Sequence, residues 1–435
     1  MKVKTTKILC GVLAMLAFTA CSSNIDDADG NHPQFWHVTL QASMGDEITR
    51  ALSEGTGNAI IASFAENDEV VVVDADGSTI VGTLKAQSAG ASTTLTGTLD
   101  AKSLVKGEVV TLRYRSATAN YDSQAGTLAG IAASQDYEEG TLTVSSVEPL
   151  TFTSNSVSLR AKQSITKFTF TDGANPANAI SVKNFRIIAT GLVQSIAMNG
   201  TETMGTVTGT LEDASSNVYV ALRNNTGATY TFIVKDNSGN WHVGTKNAKL
   251  TNGKNYTATV ALNSTLNSGS AEGTIGVVGG LPAIVVDFSG TKKAVALMNV
   301  GATWPEDYGT YYTFEYRASG LSNGWYVPTK EELEALAAKT KAWGTLNGVN
   351  GYAFTIEGNT LFLPAAGFID NDNDEGQQTA YSGKVLVSTF GFYWSLTEYS
   401  SGVMAYSLQF SDGNINVVSE YEVNALTVRP FHALN

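Results

Sequence analysis

Asn217-Val218-Tyr219-Val220-Ala221-Leu222 and then Tyr230-Thr231-Phe232-Ile233-Val234 set β-branched and aromatic residues in short apolar runs. Period-two alternation of this kind marks half-buried strands. The same pattern recurs between about residues 35 and 262, in Trp36-His37-Val38-Thr39-Leu40, Glu69-Val70-Val71-Val72-Val73, Val109-Val110-Thr111-Leu112-Arg113-Tyr114 and Lys167-Phe168-Thr169-Phe170. Asp76-Gly77, Asn199-Gly200, Ser238-Gly239 and Asn252-Gly253 supply turns that tolerate positive φ. Many short strands at this spacing predict β-sandwiches and a mainly β chain.

At 435 residues the chain is too long for one ordinary core. A break from Glu148-Pro149 to Ser158 divides the strand-rich region into two sandwich-sized units, 35–150 and 151–262. The Asn/Ser/Gly-rich run 263–280 has the composition of a flexible linker, so a third domain is expected over 281–435.

The formal charge is −13, with 27 Lys+Arg against 40 Asp+Glu and no basic stripe. Nucleic-acid affinity rests on clustered cations, so that class of partner is excluded. Lys2, Lys4 and Lys7 precede an apolar run from Ile8 to Phe18, too short to span a bilayer, which is the pattern of a secretory signal over 1–20. The run closes Leu16-Ala17-Phe18-Thr19-Ala20-Cys21, similar to a bacterial lipobox, although Phe18 departs from the usual Leu. Cys21 is therefore the expected lipidation site, followed by an acidic tether over 21–34. Acyl chains stabilise attachment by about 0.8 kcal/mol per buried CH2, which would fix the chain to the outer membrane without a transmembrane helix. Cys10 and Cys21 are the only cysteines, and Cys10 lies in the leader, so no disulfide is expected.

The clearest helix follows Pro328. Thr329 can cap it, Glu332 completes a capping box, and Leu333, Leu336 and Ala337 share one face. Lys339 and Lys341 suit the C-terminal end of its dipole, and Glu331, Glu332 and Glu334 read as first-turn carboxylates, not as catalytic groups. Four of the six Trp (Trp304, Trp325, Trp343, Trp394) fall after residue 280, so specific recognition is expected there.

From Ala296 to Phe431 the chain resembles the Fibrobacter succinogenes major paralogous domain, a C-type-lectin-like fold related to the formylglycine-generating sulfatase-modifying factors. The carriers are Asn299-Val300-Gly301-Ala302, Pro305-Glu306-Asp307-Tyr308-Gly309, Gly324 to Glu332, Asn347-Gly348-Val349-Asn350-Gly351-Tyr352, Leu361 to Gly367, Tyr393-Trp394-Ser395 and Val428-Arg429-Pro430. From about 35 to 262 it resembles the fimbrillins of type V pili, through the lipoprotein leader, Glu47-Ile48-Thr49-Arg50-Ala51, Phe64-Ala65-Glu66-Asn67-Asp68 and two successive sandwiches. Together these imply two transthyretin-like β-sandwiches followed by an α+β C-type-lectin-like domain. The fimbrillin resemblance also implies cleavage after Arg50, removal of the Trp36–Leu40 strand and strand addition by another pilus subunit. An ordinary loop arginine is the plainer reading of Arg50.

The catalysis of the modifying factors needs cysteines, and none follows Cys21. The four His form no HExxH pair, and no Walker-type loop occurs, so no enzyme is expected. Asp370, Asp372 and Asp374 alternate in a loop that can present oxygen ligands to calcium, with a solvated acidic loop as the alternative. Tyr399, with Glu398, Asp412 and Asn414, is expected to contact a ligand, and Tyr393, Trp394, Tyr406 and Tyr421 are further aromatics in the same stretch. Trp325 and Trp394 are expected in the core. These features predict a fimbrial tip or accessory subunit acting in adhesion, with a host or microbial glycan or glycoprotein as ligand. The alternatives are a non-polymerising glycan-binding lipoprotein and, less favoured, a glycan-active hydrolase.

Overall fold

The computed structural model describes residues 35–45, 63–262, 265–304, 307–346, 348–370 and 384–435. Cys21, Arg50, Asp372 and Asp374 lie outside the described residues. Nearly every described element is a strand, and the chain divides into two compact units. Among the described residues no helix is long and apolar enough to cross a membrane.

The first unit comprises residues 1–46, 62–117 and 137–160. Its strands are β1 (Phe35–Met44), β2 (Glu69–Val73), β3 (Ile80–Ala86), β4 (Ser92–Asp100) and β5 (Val109–Tyr114). After β6 (Ala119–Asn120) and α1 (Leu128–Ser134), which belong to the second unit, come β7 (Glu138–Val147), β8 (Leu150–Phe152) and β9 (Ser156–Ala161). The order β5-β2-β3-β4-β1-β9-β7-β8, with a further β5–β7 pairing, wraps the strands around one core. Alternation is clearest in β1, where Val38, Leu40 and Ala42 are buried while His37, Thr39 and Gln41 face solvent. β1 runs antiparallel to β4, with Phe35 opposite Asp100, and parallel to β9, with Gln41 opposite Ser156. It is thus an interior strand of the sheet. The β5–β7 register sets Arg113 opposite Glu139, and the two form a 3.0 Å ion pair.

The expected boundary at 150 moves. Glu148-Pro149 is the turn between β7 and β8, and β9 completes the first sheet, so the first unit continues to Arg160. Residues 118–136 leave it instead. The reason is Gln124, whose buried side chain donates to the carbonyls of Tyr121 (2.7 Å) and Ala221 (2.8 Å) and accepts from the Ala221 amide (2.9 Å).

In the second unit the sandwich strands are β10 (Ser164–Asp172), β11 (Val182–Ile188), β12 (Val193–Ile196), β13 (Glu202–Met204) and β14 (Val207–Ser215). β15 (Asn217–Leu222), β16 (Asn225–Asp236), β17 (Trp241–Leu250) and β18 (Asn255–Leu262) complete it. The large sheet runs β14-β11-β16-β17-β18-β10-β15, and the small one β13-β12-β6. Phe168, Phe170 and Phe232 form its aromatic centre, with centroids 4.7 and 5.7 Å from Phe232. The turns expected at Gly77 and Gly239 carry φ of 71° and 87°, which only a residue without Cβ adopts freely.

The rest of this unit holds β19 (Ile275–Val278), β20 (Leu281–Phe288), β21 (Thr291–Ala296), β22 (Trp325–Tyr326), α2 (Lys330–Ala337), β23 (Lys341–Leu346), β24 (Val349–Ile356) and β25 (Asn359–Pro364). It ends with β26 (Phe368–Ile369), β27 (Lys384–Val385), β28 (Gly391–Ser400), β29 (Met404–Ser411), β30 (Asn414–Tyr421) and β31 (Phe431–Ala433). A five-stranded sheet β19-β20-β21-β31-β22 and the three-stranded sheets β23-β24-β25 and β28-β29-β30 pack around α2.

The linker expectation for 263–280 is corrected. Leu266 is buried, its amide bonds to the Val277 carbonyl (3.0 Å), β19 pairs with β20, and the Glu272 carboxylate holds Lys339 (2.8 Å). Composition predicts mobility, but strand pairing and burial fix residues 265–280. Ile233 and Val243 of the sandwich share one apolar cluster with Ile284, Leu333 and Phe431. Trp241 meets Trp304 edge-on at 5.6 Å, and the Arg186 guanidinium lies 4.9 Å from the Trp304 ring centroid. The second sandwich and the C-terminal region are therefore one continuous packing unit.

Candidate ligand-binding surface

The sequence blocks of the C-terminal region converge on a buried hub. Arg429 donates to the carbonyls of Ala296 (3.1 Å) and Phe362 (2.9 Å). The Tyr393 hydroxyl donates to the Pro364 carbonyl (2.7 Å), and Asn299 Nδ2 to the Tyr308 carbonyl (2.9 Å). Tyr311 bonds Ala366, and the Trp394 indole donates to the Tyr312 carbonyl (2.6 Å). Burial disfavours the charged guanidinium and brings the Arg429 pKa down to about 10, a loss that nearby Tyr393 partly offsets. Trp325 and Trp394 are core residues, as expected.

The capping box of α2 forms: Thr329 Oγ1 accepts from the Glu332 amide, and the Glu332 carboxylate accepts from the Thr329 amide (2.8 Å). Glu332 also accepts from the Tyr326 hydroxyl (2.8 Å) and bonds Lys293. Every lone pair with a partner here serves the fold, so the structural reading of this carboxylate holds. Lys341 Nζ donates to the Ala337 carbonyl (2.6 Å), closing the last turn.

Helix α2 packs on the β28-β29-β30 sheet and leaves Tyr399 and Tyr421 exposed. Leu333 and Leu336 share a core with Leu408 and Phe410 of β29. Side chains two apart on a strand share a face, so Tyr406 and Met404 continue that face beyond the start of the helix. The register adds Tyr421 opposite Met404 and Ser419 opposite Tyr406. Tyr399 stands edge-on to Tyr406 at 5.5 Å, and Lys330 Nζ, paired with Glu334 at 3.5 Å, lies 4.5 Å from the Tyr406 ring centroid. Tyr399 and Tyr421 are 58% and 57% exposed, which leaves both rings open to a partner. Leu396, Val403 and Val423 are also exposed at this end of the sheet.

Acidic groups gather on the other face of this end of the sheet, the face of Ala405. Glu398 pairs in register with Ala405, and Glu420 is held by Gln409 (2.9 Å) and Asn424 (3.0 Å). Burial raises the Glu422 pKa above the ordinary carboxylate range, the Glu398 charge raises it further, and Arg317 opposes both. Arg317 lies over the Phe314 ring, 3.4 Å from its centroid, and donates to the Leu396 carbonyl (3.3 Å).

Of the predicted contacts, Glu398 and Tyr399 belong to this end, but Asp412 and Asn414 do not. Those two form the β29–β30 turn, seven residues along β29 from Ala405, or roughly 23 Å at about 3.3 Å per residue. One small ligand cannot touch both pairs. Asp370 is exposed just after β26, and its companions in the acidic loop lie outside the described residues. Among the described residues no cluster of three or more His, Cys, Asp or Glu is placed to hold a metal. In the sequence Tyr406 and Tyr421 stand only as available aromatics, and nothing marks Lys330 as a neighbour of Tyr406. Cross-strand register joins the tyrosines, and a single sequence does not display register.

A family described as a domain of unknown function (DUF8237) matches residues 349–431, from β24 to the start of β31. No curated protein matches the chain. Among solved structures, a candidate cell adhesion protein from Bacteroides uniformis aligns at 14% identity and TM-score 0.30, covering 55% of this chain and 98% of its own. A candidate adhesin from Bacteroides ovatus aligns at 12% identity and TM-score 0.28, covering 60% and 96%. A fimbrial assembly protein from Parabacteroides distasonis aligns at 12% and 0.27, covering 60% and 94%. At such slight similarity the chain's own residues carry the functional reading.

Proposed function

We propose that the chain is a cell-surface adhesion subunit of fimbrial type, held at the outer membrane through lipidated Cys21 until a cut after Arg50 releases it for assembly, whose C-terminal lectin-like region binds a glycan or glycoprotein. The observation that carries the binding role is the tyrosine end of β28-β30, where Tyr399 and Tyr421 present exposed rings and Ser419 and the Lys330–Glu334 pair lie by Tyr406. Aromatic faces with nearby hydrogen-bonding groups suit sugar rings, which are apolar on one face and polar at the rim. The reaction class is binding, not turnover.

Two features support subunit assembly. β1 fills an interior position between β4 and β9, with Val38, Leu40 and Ala42 buried in alternation. A cut after Arg50 and loss of this strand would leave a groove that accepts another subunit's strand with the same alternation. β31, by contrast, is held between β21 and β22 and is not free to be donated. A subunit that accepts a strand and keeps β31 fits a tip or accessory position.

The test follows the protein on the cell. Wild type is expected untrimmed at Arg50 where it is lipid-anchored in the outer membrane and trimmed after Arg50 in pilus fractions, and Arg50→Ala is expected to stay untrimmed and to lose pilus association. Absence from pilus fractions, together with unchanged adhesion on deletion, would overturn the reading.

A further inference from the structure

The second unit contains a cleft of about 770 Å³ that the tyrosine end does not touch. Three segments line it: Ile188–Gly191 at the end of β11, Asn224–Thr229 with Thr231 on β16, and Glu357–Thr360 in the turn from β24 to β25. Two come from the sandwich and one from the C-terminal region of the same unit. We propose that this cleft is a second binding site, for a short neutral oligosaccharide.

The lining selects that chemistry. It holds no aromatic ring, no Lys and no Arg, and Glu357 is its one charged side chain. An anionic ligand would meet a carboxylate without a cation, on a chain of net charge −13. Hydroxyls and amides dominate instead, and these both donate and accept, as vicinal sugar hydroxyls require. Among the described residues the side chains of Thr190, Asn224, Thr226 and Thr360 hydrogen-bond to no other protein group, so their capacity is open to a ligand. Their neighbours are fixed in advance: Asn225 Nδ2 donates to the Thr190 carbonyl (3.2 Å) while its Oδ1 accepts from the Gly227 amide (2.9 Å), and Asn359 Nδ2 donates to the Gly273 carbonyl (2.9 Å). A pre-ordered lining lowers the entropy cost of binding.

Size and topology agree. The volume falls within the roughly 300–1,000 Å³ typical of ligand clefts. A peptide adding by main-chain pairing would need a regular free strand edge; before Thr231 β16 is unpaired on the β11 side, but there its register breaks between Asn225 and Ala228, and the edge strand β25 gives the cleft only Asn359 and Thr360. Side-chain hydroxyls and amides are what the cleft offers. A ligand seated there would contact sandwich and C-terminal region together, so binding should also raise the melting temperature of the second unit.

The test titrates the whole chain with maltotriose, cellotriose and triacetylchitotriose, each free and coupled to a carrier protein, with sialyllactose as the anionic comparison. At least one neutral trisaccharide is expected to bind, and Thr226→Trp and Thr360→Trp, which fill the cleft from exposed positions, should weaken it at least about tenfold with unchanged circular dichroism. Binding only of the carrier-linked form would assign the site to glycoproteins. Tyr399→Ala should leave this binding intact, so failure here and failure at the tyrosine end are read separately. No binding by any neutral trisaccharide, equal binding of sialyllactose, or binding that survives in both filled variants would overturn the proposal.

Discussion

Strand β28 passes from one kind of chemistry to another within ten residues. Phe392 to Ser395 are buried, and Tyr393 and Trp394 bond into the hub that Arg429, Asn299 and Pro364 complete. Glu398 and Tyr399, a few positions on, stand in solvent. The hub contains the residues that look most distinctive in the sequence, and the donors of Arg429, Tyr393, Trp394 and Asn299 reach main-chain carbonyls. The exposed end is made of ordinary tyrosines and glutamates, and the faces of its rings are open. Distinctive pattern here marks architecture, and the proposed recognition falls to the residues the pattern leaves out.

The sharpest way to break this contrast is to truncate each side of it. Arg429→Ala leaves the Ala296 and Phe362 carbonyls without their buried donor, at about 1–3 kcal/mol for each unsatisfied group. Chemical denaturation should show the second unit largely lost, and an unchanged midpoint would mean that the hub is not what holds the blocks together. Trp304→Ala removes the edge-on contact with Trp241 and the ring beneath Arg186, an expected loss of about 2 kcal/mol. The same packing predicts that residues 281–435 expressed alone will be poorly folded, which hydrogen exchange can read directly.

Much of the fold is legible in the sequence alone. Thr329 and Glu332 announce the α2 cap because their partners lie three residues apart, and the alternation of Val38, Leu40 and Ala42 announces β1 because its period is local. What depends on distant partners is not legible. Gln124 draws residues 118–136 into the second unit through Ala221, 97 positions away. Leu266 and β19 turn a linker composition into packed structure because β20 is there to pair with them. Tyr406 and Tyr421 join Tyr399 only through strand register, and Asp412 and Asn414 leave the group for the same reason.

A smaller effect probes the exposed side. Burial and the Glu398 charge hold the Glu422 pKa above its unfolded value, so the folded chain binds this proton more tightly than the unfolded chain does. That stabilisation is present at low pH and is lost as pH rises through the raised pKa, leaving a penalty at neutral pH. Glu422→Gln should therefore raise stability slightly at pH 7, by about 0.5 kcal/mol or less, and change nothing at about pH 3. A larger gain at low pH than at neutral pH would contradict the assignment.

The central claim is that recognition resides in the tyrosine end and not in the hub or the β29–β30 turn. Glycan and glycoprotein array binding by the whole chain, compared among wild type, Tyr399→Ala, Tyr421→Ala and Asp412→Ala, measures it most directly. The two tyrosine variants should keep their stability within about 0.5 kcal/mol and lose at least about tenfold in binding, while Asp412→Ala binds as wild type does. Undiminished binding in both tyrosine variants, or its loss in Asp412→Ala alone, would contradict the account.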